Sequence, residues 1–139
     1  MIYHINRLTL RDDVDQDQAD AVIDMLNRSG SDNHFVTSHT VGRDIGGDHD
    51  IGAVFALADL DAYWQYLIHP AHTAATRVGI PLIGQFETFD ITDAPDPDIQ
   101  TKLVELQRRY LQHETDITAK MSTIPNNINH AALPHRHSD

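Results

Sequence analysis

The chain has 139 residues, of which 40% are hydrophobic and 22% charged, so it is long enough for one domain with a sizeable core and too short for two ordinary domains. Its 21 acidic residues outnumber its 10 lysines and arginines, and the formal charge of −11 argues against binding to nucleic acid or to anionic lipid. The absence of cysteine excludes disulfides, thiolate metal sites and cysteine nucleophiles. No apolar run approaches the roughly 20 residues of a membrane span and no signal peptide is recognisable, so we expect a cytoplasmic protein.

The chain begins with a predicted strand over residues 2–10, in which apolar side chains and one histidine alternate onto a single face. A helix follows from Asp15, where Gln18 three residues later suggests a capping box. Apolar-rich segments at 34–45 and at about 49–57 predict a second and a third strand.

The next segment predicts an amphipathic helix that starts near Asp59 and ends before Pro70. Pro70 is suited to the first position of a second, short helix. Residues 82–92 return to a strand pattern. The order β-α-β-β-α-β predicts an α+β ferredoxin-like domain over residues 1–93, with an antiparallel sheet and helices on one of its faces.

The other face of such a sheet needs a cover, and in a small domain the usual cover is a second copy of the chain. We therefore expect a homodimer that forms a dimeric α/β barrel, with Val54 and Ile83 on the face that the two copies share.

Beyond the linker 94–98, an apolar stripe predicts a C-terminal helical extension over residues 94–121. The stripe consists of Ile99, Leu103, Leu106, Tyr110, His113 and Ile117. We expect this helix to pack on its own domain or on the partner, in a structural role. Residues 122–139 are polar and interrupted by proline, which predicts a flexible, histidine-rich tail.

The segment Tyr66-Leu67-Ile68-His69-Pro70-Ala71-His72 carries the clearest chemical signal. If Pro70 begins a helix, His72 lies in its first turn, where the helix dipole disfavours imidazolium. A neutral histidine suits a general base, and a tyrosine suits a donor to a developing oxyanion. The alternative is structural: the histidines cap helix ends and Tyr66 packs in the core.

Over residues 2–92 the sequence resembles the stress-responsive dimeric A/B barrel (Dabb) family. The matching pieces are Tyr3-His4-Ile5, Thr40-Val41-Gly42-Arg43-Asp44, the helix leading to Tyr66, His69-Pro70-Ala71-His72 and Phe89-Asp90. The resemblance implies the ferredoxin-like dimeric fold. It is weak for any one activity, because these positions recur in members with different roles.

Within this family, cofactor-free polyketide cyclases of the olivetolic acid type use a histidine base and a tyrosine. The resemblance implies that His72 is the base, that Tyr66 is the donor and that Asp90 supports the histidine. It also implies that His4 is a histidine of the substrate pocket.

Other pocket positions depart from that pattern. A further pocket histidine of the cyclase corresponds to Ile51, and His49, two residues earlier, is the candidate to replace it. An aliphatic pocket position in the first strand is Asn6, and we add His69 as a candidate substrate contact. The C-terminal extension has no counterpart in the cyclase. We therefore expect this chain to share the acid–base residues of the cyclase but not its substrate.

These observations predict a cofactor-independent acid–base enzyme acting on a small carbonyl compound, of the cyclase, aldol/lyase or isomerase type. The alternative is a non-catalytic, ligand-binding or stress-responsive protein of the same fold. Oxygen chemistry, with or without haem, is a lower-ranked third possibility. We expect no cofactor and no dedicated metal site, because His130, His135 and His137 lack the fixed ligands that such a site needs.

Overall fold

A computed structural model describes residues 1–129 of the chain. The strands are β1 (Ile2–Leu10), β2 (Val36–Arg43), β3 (Ile51–Leu57), β4 (Ile83–Thr92) and β5 (Asn126–Asn129). The helices are α1 (Gln16–Ser31), α2 (Leu60–Ile68), α3 (Pro70–Gly79), α4 (Ile99–His113) and α5 (Thr115–Met121). A 3-10 turn, Ile80–Leu82, joins α3 to β4.

The five strands form one sheet in the order β2-β3-β1-β4-β5. The first four strands pair antiparallel, and β5 adds to the edge of β4 in parallel. This is the predicted α+β ferredoxin-like fold, with an added strand at one edge. The short β5 lies where the sequence predicts a flexible tail, and it carries the C-terminal segment back to the sheet.

Local signals set the helix starts as predicted. The Asp15 carboxylate accepts from the Gln18 amide at 2.8 Å, and the Gln18 side chain accepts from the Asp15 amide at 3.0 Å, which completes the capping box. Asp59 caps α2 in the same way through the Ala62 amide. Pro70 occupies the first turn of α3, and the His69 ring accepts from the Ala71 amide at 3.1 Å.

The core lies between the sheet and the helices. Along β1 the residues Ile2, His4, Asn6 and Leu8 are buried on the helix side, and β3 contributes Ile51, Ala53, Phe55 and Leu57 to the same layer. Leu103, Leu106 and Tyr110 of α4 and Ile117 of α5 belong to this same cluster of buried residues. Most of the predicted C-terminal stripe is therefore part of the core, but His113 is exposed.

The opposite sheet face is the open face, defined by Tyr3, Ile5, Val54, Phe89 and Ile91. Tyr3 and Ile91 are 41% and 57% exposed. The prediction that Ile83 also belongs here is wrong, since Ile83 is buried on the helix side. The pairing of β1 with β4 shifts between Thr9 and Leu10, and such an irregularity reverses the alternation of side chains beyond it.

The C-terminal extension differs from the single predicted helix. Glu114 leaves the helical region, with φ −110° and ψ 73°, and separates α4 from α5. Arg77 of α3 binds both sides of this break, through Glu114 at 2.9 Å and Asp116 at 2.7 Å. Within residues 1–129, none of the helices is long and apolar enough to cross a membrane.

Candidate functional site

A cavity of about 120 Å³ lies between the helix side of the sheet, α1, α3 and the C-terminal extension. Its apolar wall comes from Leu8, Val22, Met25, Leu26, Leu67, Ala75, Ile80, Ile83, Phe86, Leu111, Ile117 and Met121. Its polar lining comes from His4, Asn6, Ser29, Tyr66, His72, Thr76, Thr88, Gln107, Tyr110 and Asn129. An apolar cavity with a few convergent polar groups is the usual form of a small-molecule site.

Strand register brings the polar groups of the sheet together. His4 and Asp90 are directly opposed on β1 and β4, and Asn6 opposes Thr88 two positions further along the same face. Alternating residues share a sheet face, so His4 and Asn6 both reach the cavity. From the apolar pattern alone, positions 4 and 6 of the first strand would be ordinary core positions. They instead supply two polar side chains, His4 and Asn6, to the cavity.

At this end of the cavity four buried side chains form one hydrogen-bonded network. Asp90 Oδ1 lies 2.9 Å from His4 Nδ1 and accepts from the Tyr63 hydroxyl at 2.8 Å. The Tyr63 hydroxyl also lies 2.6 Å from His4 Nδ1, and it accepts from Gln107 Nε2 at 3.0 Å. We call these residues the His4 network: His4, Tyr63, Asp90 and Gln107.

The network favours one arrangement of its protons. A carboxylate only accepts hydrogen bonds, so with Asp90 ionised both Tyr63 and His4 Nδ1–H donate towards it. Burial and the neighbouring Asp90 carboxylate raise the pKa of Tyr63 well above its usual value, which keeps the phenol protonated. With a proton on Nδ1, the other nitrogen of His4, Nε2, is the one that can accept a proton, and the ring lines the cavity.

His72 is held in a different way. Its Nδ1 lies 2.8 Å from the Leu67 carbonyl oxygen, so Nδ1–H donates and Nε2 carries the lone pair. Burial lowers the pKa of His72 to about 4, so the ring is neutral at pH 7. The position of His72 in the first turn of α3 predicts a neutral ring. In the structure the largest cause of the lowered pKa is the loss of solvent around that ring.

Tyr66 lies between the two histidines. Its ring centroid is 4.7 Å from that of His72 and 6.1 Å from that of His4. Burial raises the pKa of Tyr66, with an opposing contribution from Ser29, so its hydroxyl stays a hydrogen-bond donor at neutral pH.

The predicted hydrogen bond between Asp90 and His72 is wrong. Asp90 is bonded to His4 and Tyr63, while His72 Nδ1 is bonded to Leu67. The reason is strand register, which places Asp90 directly opposite His4, whereas α3 turns the His72 ring towards the end of α2. The carboxylate therefore orients the histidine of the first strand.

The other predicted contacts divide between the cavity and elsewhere. His4 and Asn6 line the cavity. Ile51 is buried in the core, and His69 caps α3. His49 is not on the cavity side: it lies 3.4 Å from Thr9 and from Glu87, on the side of the sheet where Arg7 opposes Glu87.

The site also contains residues that the sequence does not predict as site residues, among them Tyr63, Gln107 and Tyr110. Tyr63 falls within the predicted amphipathic helix after Asp59, and Tyr110 belongs to the apolar stripe of the C-terminal extension. Tyrosine is an ordinary core residue in both settings. Gln107 carries a usable signal, because it is a polar residue four positions after Leu103 and three before Tyr110. A polar side chain beside a helical apolar stripe at this spacing faces the same buried layer.

The cavity lining contains no lysine, arginine or carboxylate side chain among residues 1–129. In the same part of the chain no three His, Asp or Glu side chains are arranged to hold a metal ion. The histidines at 130, 135 and 137 lie outside the described residues. The site as built offers two imidazoles, phenol donors and amides for proton transfer and hydrogen bonding.

Comparison with known proteins gives a family and a fold. The family model of the stress responsive A/B barrel domain (Dabb) matches residues 2–93. A dimeric ferredoxin-like protein of unknown function from Thermobifida fusca is 26% identical, with a TM-score of 0.60 over 66% of this chain and 89% of that one. A Dabb family protein from Mesorhizobium loti is also 26% identical, with a TM-score of 0.58 over 67% of this chain and 96% of that one.

A hydroxynitrile lyase from Passiflora edulis shares the fold at 13% identity, with a TM-score of 0.58 over 68% of this chain and 96% of that one. Among curated proteins, none matches the sequence.

Proposed function

Because the chain belongs to the stress-responsive A/B barrel (Dabb) family, whose fold also carries a hydroxynitrile lyase, we propose that it is a cofactor-independent acid–base enzyme. Its substrate is a small carbonyl compound held in the cavity. The observation that carries the proposal is the hydrogen-bonded His4–Asp90 pair, of which the His4 ring lines the cavity.

His4 acts as the general base in this proposal. Its Nε2 takes a proton from the carbon next to the substrate carbonyl, and the electron pair of the broken C–H bond moves to the carbonyl oxygen to form an enolate. The imidazolium that forms lies against the Asp90 carboxylate, 2.9 Å away, which stabilises the new positive charge. His4 then returns the proton to carbon or oxygen, and the enzyme is regenerated.

His72 is a less suitable base than the resemblance implies. Its pKa of about 4 makes it a weak proton acceptor at neutral pH, and Asp90 is bonded to His4 rather than to it. In our proposal its Nε2 accepts a hydrogen bond from the substrate and so positions it. Tyr66 keeps the predicted role of donor to the enolate oxygen, because its hydroxyl stays protonated and its ring lies between the two imidazoles.

Cavity size supports a small substrate. An apolar cavity of about 150 Å³ accommodates benzene, and this cavity measures about 120 Å³. A substrate of about four to six non-hydrogen atoms therefore fits this cavity. Aldol, retro-aldol and isomerisation reactions of small ketones all need the proton transfer described above.

We also propose that the protein is a homodimer built on the open face. The described part of the chain leaves Tyr3 and Ile91 of this face exposed, beside the half-buried Val54. Contiguous exposed apolar surface of this kind marks an interaction site. The Thermobifida fusca relative is described as dimeric, which supports the same assembly here.

Hydrogen–deuterium exchange in D₂O tests the enzymatic proposal without knowledge of the natural substrate. Small ketones and hydroxyketones are incubated with the full chain, and loss of the protons next to the carbonyl is followed by NMR. We expect exchange above the buffer rate for at least one compound, and its loss in His4→Asn, which keeps a donor towards Asp90 and removes the basic nitrogen.

The matched control is His34→Asn, because His34 is exposed and lies outside the cavity. Exchange at the control rate in His4→Asn would contradict the assignment of the base. Saturable binding of these compounds without any exchange would assign the protein to the alternative class, a non-catalytic ligand-binding protein.

A further inference from the structure

Three buried side-chain polar atoms have no hydrogen-bond partner within residues 1–129: Asp90 Oδ2, the Tyr110 hydroxyl and Asn6 Oδ1. The last two belong to residues that line the cavity. Tyr110 is 6% exposed and Asn6 8% exposed, and both line the cavity. Buried polar atoms in folded proteins are almost always paired. A ligand that offers complementary groups at both positions recovers hydrogen bonds that the protein alone does not make.

The chemistry of the two groups defines what they recognise. A phenol hydroxyl donates to a carbonyl oxygen, whereas an amide oxygen accepts from an O–H or N–H. Burial raises the pKa of Tyr110, so the hydroxyl remains a donor across the neutral range. Tyr110 lies on α4 and Asn6 on β1, so they approach the cavity from opposite layers of the fold.

Charge narrows the ligand class further. Among residues 1–129 the lining holds no lysine or arginine, and burial disfavours the charged form of His72. An anionic ligand, such as a carboxylate or a phosphate ester, would be buried without a permanently charged partner, which is unfavourable. The cavity therefore favours a neutral ligand.

We propose that the ligand is a neutral hydroxyketone of about four to six non-hydrogen atoms, whose carbonyl oxygen accepts from Tyr110 and whose hydroxyl donates to Asn6 Oδ1. This deepens the proposed function, on which it rests for the identity of the site, and it adds a recognition residue from outside the matched family domain. Residues 2–93 match the family, and Tyr110 lies beyond them. Tyr66 and Tyr110 then flank the carbonyl group, and the C-terminal extension determines which ketones bind.

The test is an NMR titration of the full chain with three probes: 3-hydroxy-2-butanone, 2-butanone and lactate. The first has both groups, the second lacks the hydroxyl, and the third replaces the ketone with a carboxylate. Dissociation constants are compared for the unmodified protein, Tyr110→Phe and Asn6→Leu. The matched control is Tyr3→Phe, which removes the same hydroxyl from the open face. Thermal melting checks that each variant is folded.

We expect 3-hydroxy-2-butanone to bind more tightly than 2-butanone, and lactate to bind most weakly. One hydrogen bond contributes about 3- to 10-fold in affinity. Tyr110→Phe should weaken both ketones by that factor, while Asn6→Leu weakens the hydroxyketone alone and Tyr3→Phe changes nothing. Equal affinities in Tyr110→Phe and the unmodified protein, or tighter binding of lactate than of either ketone, would overturn the inference.

The titration measures binding at equilibrium, so its failure is distinct from that of the proposed function. Hydroxyketone binding that depends on Tyr110, without any proton exchange, leaves this inference standing and removes the enzymatic proposal. Proton exchange together with unchanged affinities in Tyr110→Phe removes this inference and leaves the enzymatic proposal standing.

Discussion

At the residue scale, the site depends on which histidine the buried carboxylate contacts. Asp90 Oδ1 lies 2.9 Å from His4 Nδ1, and the Tyr63 hydroxyl is held between Asp90 and Gln107. These contacts favour a proton on His4 Nδ1, which leaves Nε2 as the lone-pair nitrogen. The arrangement of the cavity histidines therefore depends on the contact between Asp90 and His4 more than on the segment His69-Pro70-Ala71-His72 at the end of α2.

Replacing Asp90 by Asn should change the tautomer of His4. An amide can donate to the ring as well as accept from it, so the preference for a proton on Nδ1 weakens. Long-range ¹H–¹⁵N NMR spectra report which ring nitrogen carries the proton. We expect a single Nδ1–H form of His4 in the unmodified protein and a mixture or an Nε2–H form in Asp90→Asn. An unchanged spectrum would show that Asp90 does not orient the ring.

His72 should make stability depend on pH. Its pKa is about 4 in the folded protein and close to 6.5 when unfolded, so between these values the unfolded chain binds the proton more strongly. The free energy of unfolding therefore rises with pH from about 4 to 6.5, by at most about 3 kcal/mol from this group. His72→Asn, which keeps a donor towards Leu67, should flatten that slope in urea titrations at pH 4.5 and 7. An equally steep slope in the variant would assign the dependence to other groups.

At the element scale, α4 joins the core to the site. Its buried side carries Leu103 and Leu106 into the packing against α2, and it delivers Gln107 and Tyr110 to the cavity. The break at Glu114 then directs α5 across the end of α3, where Arg77 holds both Glu114 and Asp116. The extension is thus a wall of the cavity as well as a part of the core.

Truncating Leu103 should test how strongly α4 is anchored. Leu103 is 7% exposed, and a buried Leu→Ala change costs about 2–5 kcal/mol, because apolar contacts are lost and a cavity remains. We expect Leu103→Ala to lower the free energy of unfolding by this amount in urea titrations. Thr101→Ala, on the exposed side of the same helix, should change it by less than about 0.5 kcal/mol. Similar effects of both changes would mean that α4 does not pack as described.

The sequence predicts the features of these elements that depend on neighbouring residues, but not those that depend on strand pairing or on a local break in a helix. Capping residues and periodic apolar stripes are local, so the starts of α1, α2 and α3 agree with Asp15, Asp59 and Pro70. The pairing of Asp90 depends on the register of β1 against β4, which neighbouring residues do not reveal. The reversal of Ile83 depends on an irregularity in that register, and the break at Glu114 lies within an otherwise continuous stripe.

At the scale of the whole molecule, the sheet separates the cavity from the open face. The helix side encloses the cavity, and the open face presents Tyr3, Ile5, Val54, Phe89 and Ile91. His49, Arg7, Asp44 and Glu87 lie at one end of that open face, where the Arg7 guanidinium holds the pKa of Asp44 below its usual value. Assembly and chemistry can therefore be tested separately.

A charge placed on the open face should prevent dimerisation. Val54 is half-buried at the middle of β3, between β1 and β2, so Val54→Lys would bury an unpaired ammonium in the proposed interface. We expect sedimentation velocity to give a dimer for the unmodified protein and a monomer for Val54→Lys. Gln112→Lys adds the same charge at an exposed position in the last turn of α4 and should remain dimeric. A dimer that survives Val54→Lys would place the interface elsewhere.

The most direct test of the account compares proton exchange in His4→Asn and His72→Asn, measured with the same ketone in D₂O at pH 7. Both changes remove one basic nitrogen from the cavity and keep the donor that each ring uses, towards Asp90 and Leu67 respectively. If His4 is the base, its variant loses about 10²–10⁴ in exchange rate, whereas His72→Asn loses less than about tenfold. The opposite ranking, or equal rates in both variants, would contradict the assignment of catalysis to the His4–Asp90 pair.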